Sequence, residues 1–181
     1  MVVPGTITEI VGRLSSGRTS LLVACLGEVT GRGAVAALVD ADGAFDPASA
    51  ARAGVDLARL LWVRCGGRRD VALRAADLLV RCQGFALVGL DLGETATPLS
   101  HTAAFRLRFA VERTASALVV VGRGRVTGPA ASLVVETVRD RLEWAGPGPV
   151  PTRLAHVRAH ARVLRARAAR APGAAPLGFC A

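Results

Sequence analysis

The stretch Gly12-Arg13-Leu14-Ser15-Ser16-Gly17-Arg18-Thr19 has the spacing G-x4-G-R-T. Glycines so placed let a backbone curl until its N–H groups converge, and a helix starting there adds positive potential. The chemistry on offer is the holding of an anion, above all a phosphate. Thr19 brings a hydroxyl to the position that accompanies a magnesium ion, and Ser15, Ser16 and Ser20 complete a polar lining. Asp91 closes the apolar run FALVGLD with an acid. Arg18 is the departure, because a loop built for turnover carries lysine there. A planar guanidinium can hold a phosphate through its charge. It does not replace a compact ammonium where a transition state requires placement finer than about 1 Å. No residue is therefore expected to be catalytic, and ATP or ADP is a ligand the loop admits but does not require. Ser15 and Ser16 have no positioned base beside them and are not nucleophiles.

Such a loop works only between a strand and a helix. Thr6 to Val11 reads as a strand and Thr19 to about Val29 as a helix. Short β-branched runs then alternate with helical patterns, which predicts an α/β fold with a mostly parallel central sheet flanked by helices. Strands are expected at 35–40, 60–63, 85–91 and 117–121, and helices at 47–53, 70–82 and 100–114. In the helix from Asp70 the apolar face is predicted to be Val71, Ala75, Leu78, Leu79 and Cys82. Residues 134–144 read as a helix running into a strand. From Val157 to Val163 apolar and polar residues alternate strictly, which predicts a strand pairing back as a C-terminal antiparallel edge hairpin. The core is expected to span residues 1–170, with 171–181 (APGAAPLGFCA) a flexible tail.

All 23 basic residues are arginine, and the sequence holds no lysine, tyrosine or asparagine. Codons for those three are AT-rich, so a GC-rich gene accounts for their absence, and drift alone could place an arginine at position 18. Net charge is +9, and six arginines lie beyond Glu143, the last acidic residue. Such a block suits an acidic partner or nucleic acid, or is simply a solvated face. Four scattered cysteines with no CxxC pair argue against a metal site or a disulfide framework. No apolar run approaches the roughly 20 residues that span a bilayer, and no signal peptide is visible, so a cytoplasmic protein is expected. His156 and His160 read as surface residues, Asp46 as a helix cap, Asp56 as a turn residue, and Trp62 and Trp144 as core or interface aromatics.

Several segments resemble bacterial RecA. EIVGRLSSGRTSLL is similar to its Walker A strand and loop, paired serines included. ALVDADGAFDPASAARAGVDLARLL is similar to the segment that follows, and FALVGLDL to its Walker B strand with Asp91 at the acidic end. ALVVVGRGRV resembles the next core strand, and RVLRARAARAP a basic edge strand. The likeness runs from about residue 4 to 179. It implies a RecA-like P-loop core with a degenerate Walker A. Asp42 falls where RecA has its glutamate base, Ser49 where a tyrosine stacks on adenine, and Arg123 where a glutamine senses nucleotide. The two DNA-binding loops shrink to Gly93–Leu99 and Thr127–Ala130. The helix and strand that RecA uses to polymerise have no counterpart before this first strand. Arg165 and Arg167 match basic positions that in RecA reach a neighbour's nucleotide, which makes them candidate interface residues.

A RecA-like core with these losses resembles the ImuA family, and beyond it SulA-like proteins. The resemblance implies an accessory factor of SOS, DNA-damage-induced translesion synthesis and mutagenesis. It would act through an ImuB-like polymerase homologue, RecA and an error-prone polymerase complex, recruited to the nucleoid, with DNA binding weak or absent. A SulA-type cell-division inhibitor and a slow RecA/RadA-like ATPase are the alternatives.

Overall fold

The computed structural model describes residues 1–167 apart from 95, 149 and 151, and the backbone of 174–180. The strands are β1 (Ile7–Gly12), β2 (Val35–Asp40), β3 (Leu60–Arg64), β4 (Phe85–Asp91), β5 (Ala117–Gly122), β6 (Leu133–Ala145), β7 (Arg153–Ala166) and β8 (Ala174–Cys180). The helices are α1 (Arg18–Gly31), α2 (Pro47–Arg52), α3 (Arg69–Arg81) and α4 (His101–Thr114). One sheet runs β3-β2-β4-β5-β1-β6-β7-β8. It is parallel from β3 to β6, with β7 antiparallel to β6 and β8 antiparallel to β7. The expected α/β architecture with its antiparallel edge pair is what the chain forms.

Period-two alternation along the strands divides the core between the two faces. Ile10, Leu38, Leu87, Val119 and Val121 pack under α1 with Phe45 and Val55. Ile7, Val39, Val88, Leu90, Leu118 and Val120 pack under α3 and α4. At Gly89 a Cβ would stand 3.0 Å from Leu22 Cδ1 and 3.3 Å from Leu38 Cδ1, so this glycine lets α1 settle directly over β4. The same closeness brings the start of α1 to the carboxyl ends of β1 and β4, where open α/β sheets bind ligands.

Three expectations change. Residues 134–144 hold no helix, because β6 is extended throughout. Its first half lies parallel to β1 and its length pairs with β7, a tertiary demand that Val134, Val135 and Thr137 suit as β-branched residues. On α3 the expected Val71, Ala75 and Leu79 do pack, partly buried, against the core, but its most buried residues are Ala72, Ala76 and Val80, while Leu78 is 65% exposed and Cys82 is exposed. Small alanines let the helix approach the sheet, and a pattern weighted by side-chain bulk misses that. Within the expected tail, Ala174–Cys180 pairs on β7 as β8; the rest of 168–181 lies outside the described residues.

Glu9, in the middle of β1, is completely buried. Its Oε1 accepts the N–H groups of Val126, at 2.5 Å, and Thr127, at 3.0 Å, and its Oε2 accepts the Thr127 hydroxyl at 2.8 Å. One carboxylate thus pins the chain after β5 beneath the sheet. Glu9→Ala leaves three buried donors unpaired and is expected to cost about 3–5 kcal/mol in urea unfolding. Thr127→Val, which removes one donor, should cost about 1–2 kcal/mol.

Candidate functional site

The loop between β1 and α1 has the curl its sequence implies. Ser15 takes φ 58° and Gly17 φ 91°, and Ser16 N–H donates to Arg13 O at 3.1 Å. No side chain caps α1, so the first-turn N–H groups that would meet an anion keep their positive potential. Arg13, Leu14 and Ser15 are exposed, and Thr19 and Ser20 are half-buried. Ser16 is buried, its hydroxyl 2.7 Å from that of Thr137 on β6, which also donates to Val11 O at 3.3 Å. Gly12 sits under this contact, where an added Cβ would run into both hydroxyls and come within 2.8 Å of Thr137 O. The neighbouring strand therefore packs tightly against the loop.

Arg18 is only 6% exposed, and two nitrogens of its guanidinium have partners within the protein. Nη1 donates to Gly12 O at 2.6 Å, and Nη2 makes a hydrogen-bonded ion pair with Glu94. Glu94 lies just past β4, in the shortened segment Gly93–Leu99. Two further contacts tether that segment: Arg69 donates to Thr97 O, and Leu99 N–H donates to Val126 O at 2.8 Å. A carboxylate of the protein thus occupies the arginine that a phosphate would seek.

Asp91 is 8% exposed and lies beside this pair. Burial raises its carboxyl above the ordinary value. The Gly93 N–H, at 2.9 Å, and the Arg18 charge pull it back, while Asp40 and Asp42 push it further up. Asp42 is exposed, and its carboxylate abuts Gly93 so closely that a Cβ there would collide with it. Asp40 has a structural task. It accepts the N–H groups of Gly43, Ala44 and Phe45 at 2.8–3.1 Å and the Trp62 indole N–H at 3.2 Å, fixing the turn that carries Asp42. Trp62 also packs edge-on against Phe45, with centroids 5.3 Å apart.

Sequence reasoning thus identifies Gly12, Ser15, Ser16, Gly17, Arg18, Thr19, Ser20 and Asp91, and the fold gathers them at one end of the sheet. It misses Glu94 and Thr137, which lie far along the chain and carry no motif. Ser49 is exposed and turned to its own helix cap, where its hydroxyl donates to Asp46 and accepts from Arg52. Arg123 is exposed. Arg165 and Arg167 hold the second shortened loop, donating to Gly128 O at 3.2 Å and Pro129 O at 2.5 Å. Asp46 caps α2, as its sequence context predicts, and Asp56, expected as a turn residue, caps the single helical turn Leu57–Arg59. His160 is not isolated from carboxylates, since its Nδ1 lies 2.7 Å from Asp140, at a bulge in β6. Trp144 is 53% exposed rather than in the core.

In this arrangement two groups of the phosphate loop already have partners within the protein. The α1 cation is neutralised by Glu94, and Ser16 is bound to Thr137. Among the described residues no cluster of His, Cys, Asp and Glu could hold a metal ion, and no helix is long and apolar enough to cross a membrane.

Among known proteins, the RecA N-terminal domain family matches residues 2–103. RecA of Prochlorococcus marinus (strain MIT 9313) is 42% identical over 97 residues, 54% of this chain. RecA of Synechococcus sp. (strain CC9605) is 44% identical over 94 residues, 52% of this chain. RecA of Synechococcus sp. (strain CC9902) is 43% identical over 97 residues, 54% of this chain. The aligned stretch spans about a quarter of the length of these relatives, 25%, 25% and 26% in turn.

The raised Asp91 carboxyl has a consequence for stability. A carboxyl whose folded value lies above its unfolded one is worse off ionised in the fold. The penalty is absent below the unfolded value, grows as pH rises through the folded value, and is fully present above it. Asp91→Asn keeps the acceptor for Gly93 N–H and removes the charge. The variant should melt above the wild type at pH 7, and the gap should close as pH falls through about 4. Thermal melts at several pH values check this; a variant that melts lower at pH 7 contradicts it.

Proposed function

This chain belongs to the RecA N-terminal domain family, and on that premise we propose that it is a non-motor accessory protein of DNA-damage-induced translesion synthesis. It works by contact with an ImuB-like polymerase homologue and with RecA, and through them with an error-prone polymerase. The observation that supports this most is the Arg18 guanidinium held between Gly12 O and Glu94. A motor loop needs a cation free to follow charge developing on a terminal phosphate, and this one is already neutralised.

Other features point the same way. Asp42 has a shorter side chain than the glutamate base it replaces. Ser49 offers no ring to stack on adenine and is engaged with Asp46 and Arg52. The two segments that replace the DNA-binding loops are fastened to the core, the first by Arg18, Arg69 and Val126, the second by Glu9, Arg165 and Arg167. Loops so tied cannot wrap a DNA strand, and what remains is a RecA-shaped surface without the motor's moving parts. Any residual DNA binding rests on the surface arginines and should fall steeply with salt.

Magnesium-dependent phosphate release from ATP should stay at the buffer background, while the purified chain forms a complex with the ImuB-like protein, with RecA or with both. Turnover that disappears in Arg18→Ala would restore the motor, and failure to bind either partner would sink the accessory role. The neutralised loop has its own test. Glu94→Ala releases Arg18 and should tighten pyrophosphate binding about tenfold in calorimetry, on the scale of one charge-assisted hydrogen bond. The same change takes away the ion-pair partner of the buried Arg18, so it should also lower stability, by about 2–3 kcal/mol in urea unfolding, less than for a fully buried pair because Glu94 is half exposed.

A further inference from the structure

Helix α4 is apolar on two sides. Its inner face, Ala104, Leu107, Ala110 and Val111, is buried against the sheet. A second stripe, His101, Phe105 and Phe109, runs along the outer side at i, i+4 and i+8, with successive ring centroids 6.4 Å apart. Phe109 is 59% exposed, so the fold does not need its ring, and Phe105 is half-buried. Phe105 and Phe109 line a groove of about 360 Å³ together with Arg81 from α3 and Arg106 and Arg113 from α4. Arg81 and Arg106 share a single carboxylate, Asp77, at 3.0 and 3.3 Å, and Arg113 makes no ion pair among the described residues. Three guanidiniums thus surround two phenyl rings with one acid between them.

We infer that this groove between α3 and α4 is a docking site for an acidic amphipathic helix of a partner protein. The inference rests on the reading that the chain acts by binding partners, and it gives that reading a surface. Charge complementarity selects the occupant: a leucine or aromatic side chain fills the space between the phenyl rings, and flanking Asp or Glu residues meet Arg81, Arg106 and Arg113. The outer stripe rises about 12 Å over its eight residues, a span that matches helix-borne anchors at i, i+4 and i+8. Nucleic acid suits the groove less well. Single strands bind by stacking bases on open ring faces. Here the Arg108 guanidinium lies 6.0 Å from the centroid of Phe105, and the two rings are tilted by 42°, leaving no flat platform.

The test is fluorescence anisotropy of the full chain with a labelled helical peptide carrying leucine at i, i+4 and i+8 and glutamate elsewhere. Controls are the same peptide with lysine in place of glutamate, and a labelled oligothymidylate. The acidic peptide should bind, the lysine peptide should not, and added salt should weaken binding. Phe109→Ser and Arg113→Glu should each weaken it about tenfold, the scale of an interface hot spot, while Arg113→Lys keeps most of it. Both positions are exposed, so the variants should melt like the wild type. Three results would overturn the site: equal affinity for both peptides, wild-type binding by both Phe109→Ser and Arg113→Glu, or loss in those variants of oligothymidylate binding alone. If the chain still binds RecA or the ImuB-like protein when the peptide fails, this surface is wrong and the accessory role stands. If the peptide binds and neither protein does, the accessory role fails and the groove remains.

Discussion

A guanidinium with 6% of its surface exposed must be neutralised where it lies, and the site end of this protein is arranged around meeting that demand for Arg18. A buried cation without a partner costs several kcal/mol. Gly12 O takes one arm of the fork and Glu94 the other, so the segment after β4 must lie across the mouth of the phosphate loop. That segment cannot then be long or free. Arg69 and the Val126 carbonyl hold it further along, and Val126 is in turn fixed by Glu9. The chain of contacts runs from the loop through both shortened segments to a carboxylate in the middle of β1. Each link is ordinary; together they leave no segment at that end of the sheet free to follow a reacting phosphate.

Arginine at position 18 first reads as a consequence of a gene that avoids lysine. Geometry adds a reason for keeping it. Two nitrogens of one rigid plane reach two acceptors at once, the carbonyl at the end of β1 and a carboxylate beyond β4. An ammonium offers its donors from a single point and suits that pair less well. Whatever introduced the arginine, Glu94 gives it a structural role that lysine would fill poorly. The arginine is thus part of a contact between two loops.

What the sequence reveals, and what it hides, follows from the range of the interactions. Strands, the phosphate loop and the caps at Asp46 and Asp56 are local, and glycine spacing, β-branched runs and capping residues specify them within a few positions. A mostly parallel sheet follows from strands alternating with helices, while the order β3-β2-β4-β5-β1-β6-β7-β8 does not. Glu94 meets Arg18 across 76 positions and Thr137 meets Ser16 across 121, and neither belongs to a pattern. Glu9 is visible as a polar residue inside an apolar strand, which is itself a signal, but its partners at Val126 and Thr127 are not. On α3 the periodicity is right and the phase is displaced: Val71, Ala75 and Leu79 border the core, and Ala72, Ala76 and Val80 lie deepest in it. At β8 a composition rich in alanine and proline hides a strand whose pairing depends on β7 being there to receive it.

The two ends of the molecule then carry different constraints. At the carboxyl ends of the strands, Arg18 is paired with Glu94 and the loops are tied to the core. On the outer side of α4, aromatic rings remain uncovered beside guanidiniums in excess, an arrangement that costs solubility and gains the fold nothing, because the inner face of the same helix already supplies its packing. Loops of a parallel sheet contribute little to its core, so their length can change without loosening Ile10, Leu38, Val88 or Val120. A fold whose core is independent of its loops presents rigid helix faces, and rigid faces bind at lower entropic cost than loops that must first be ordered.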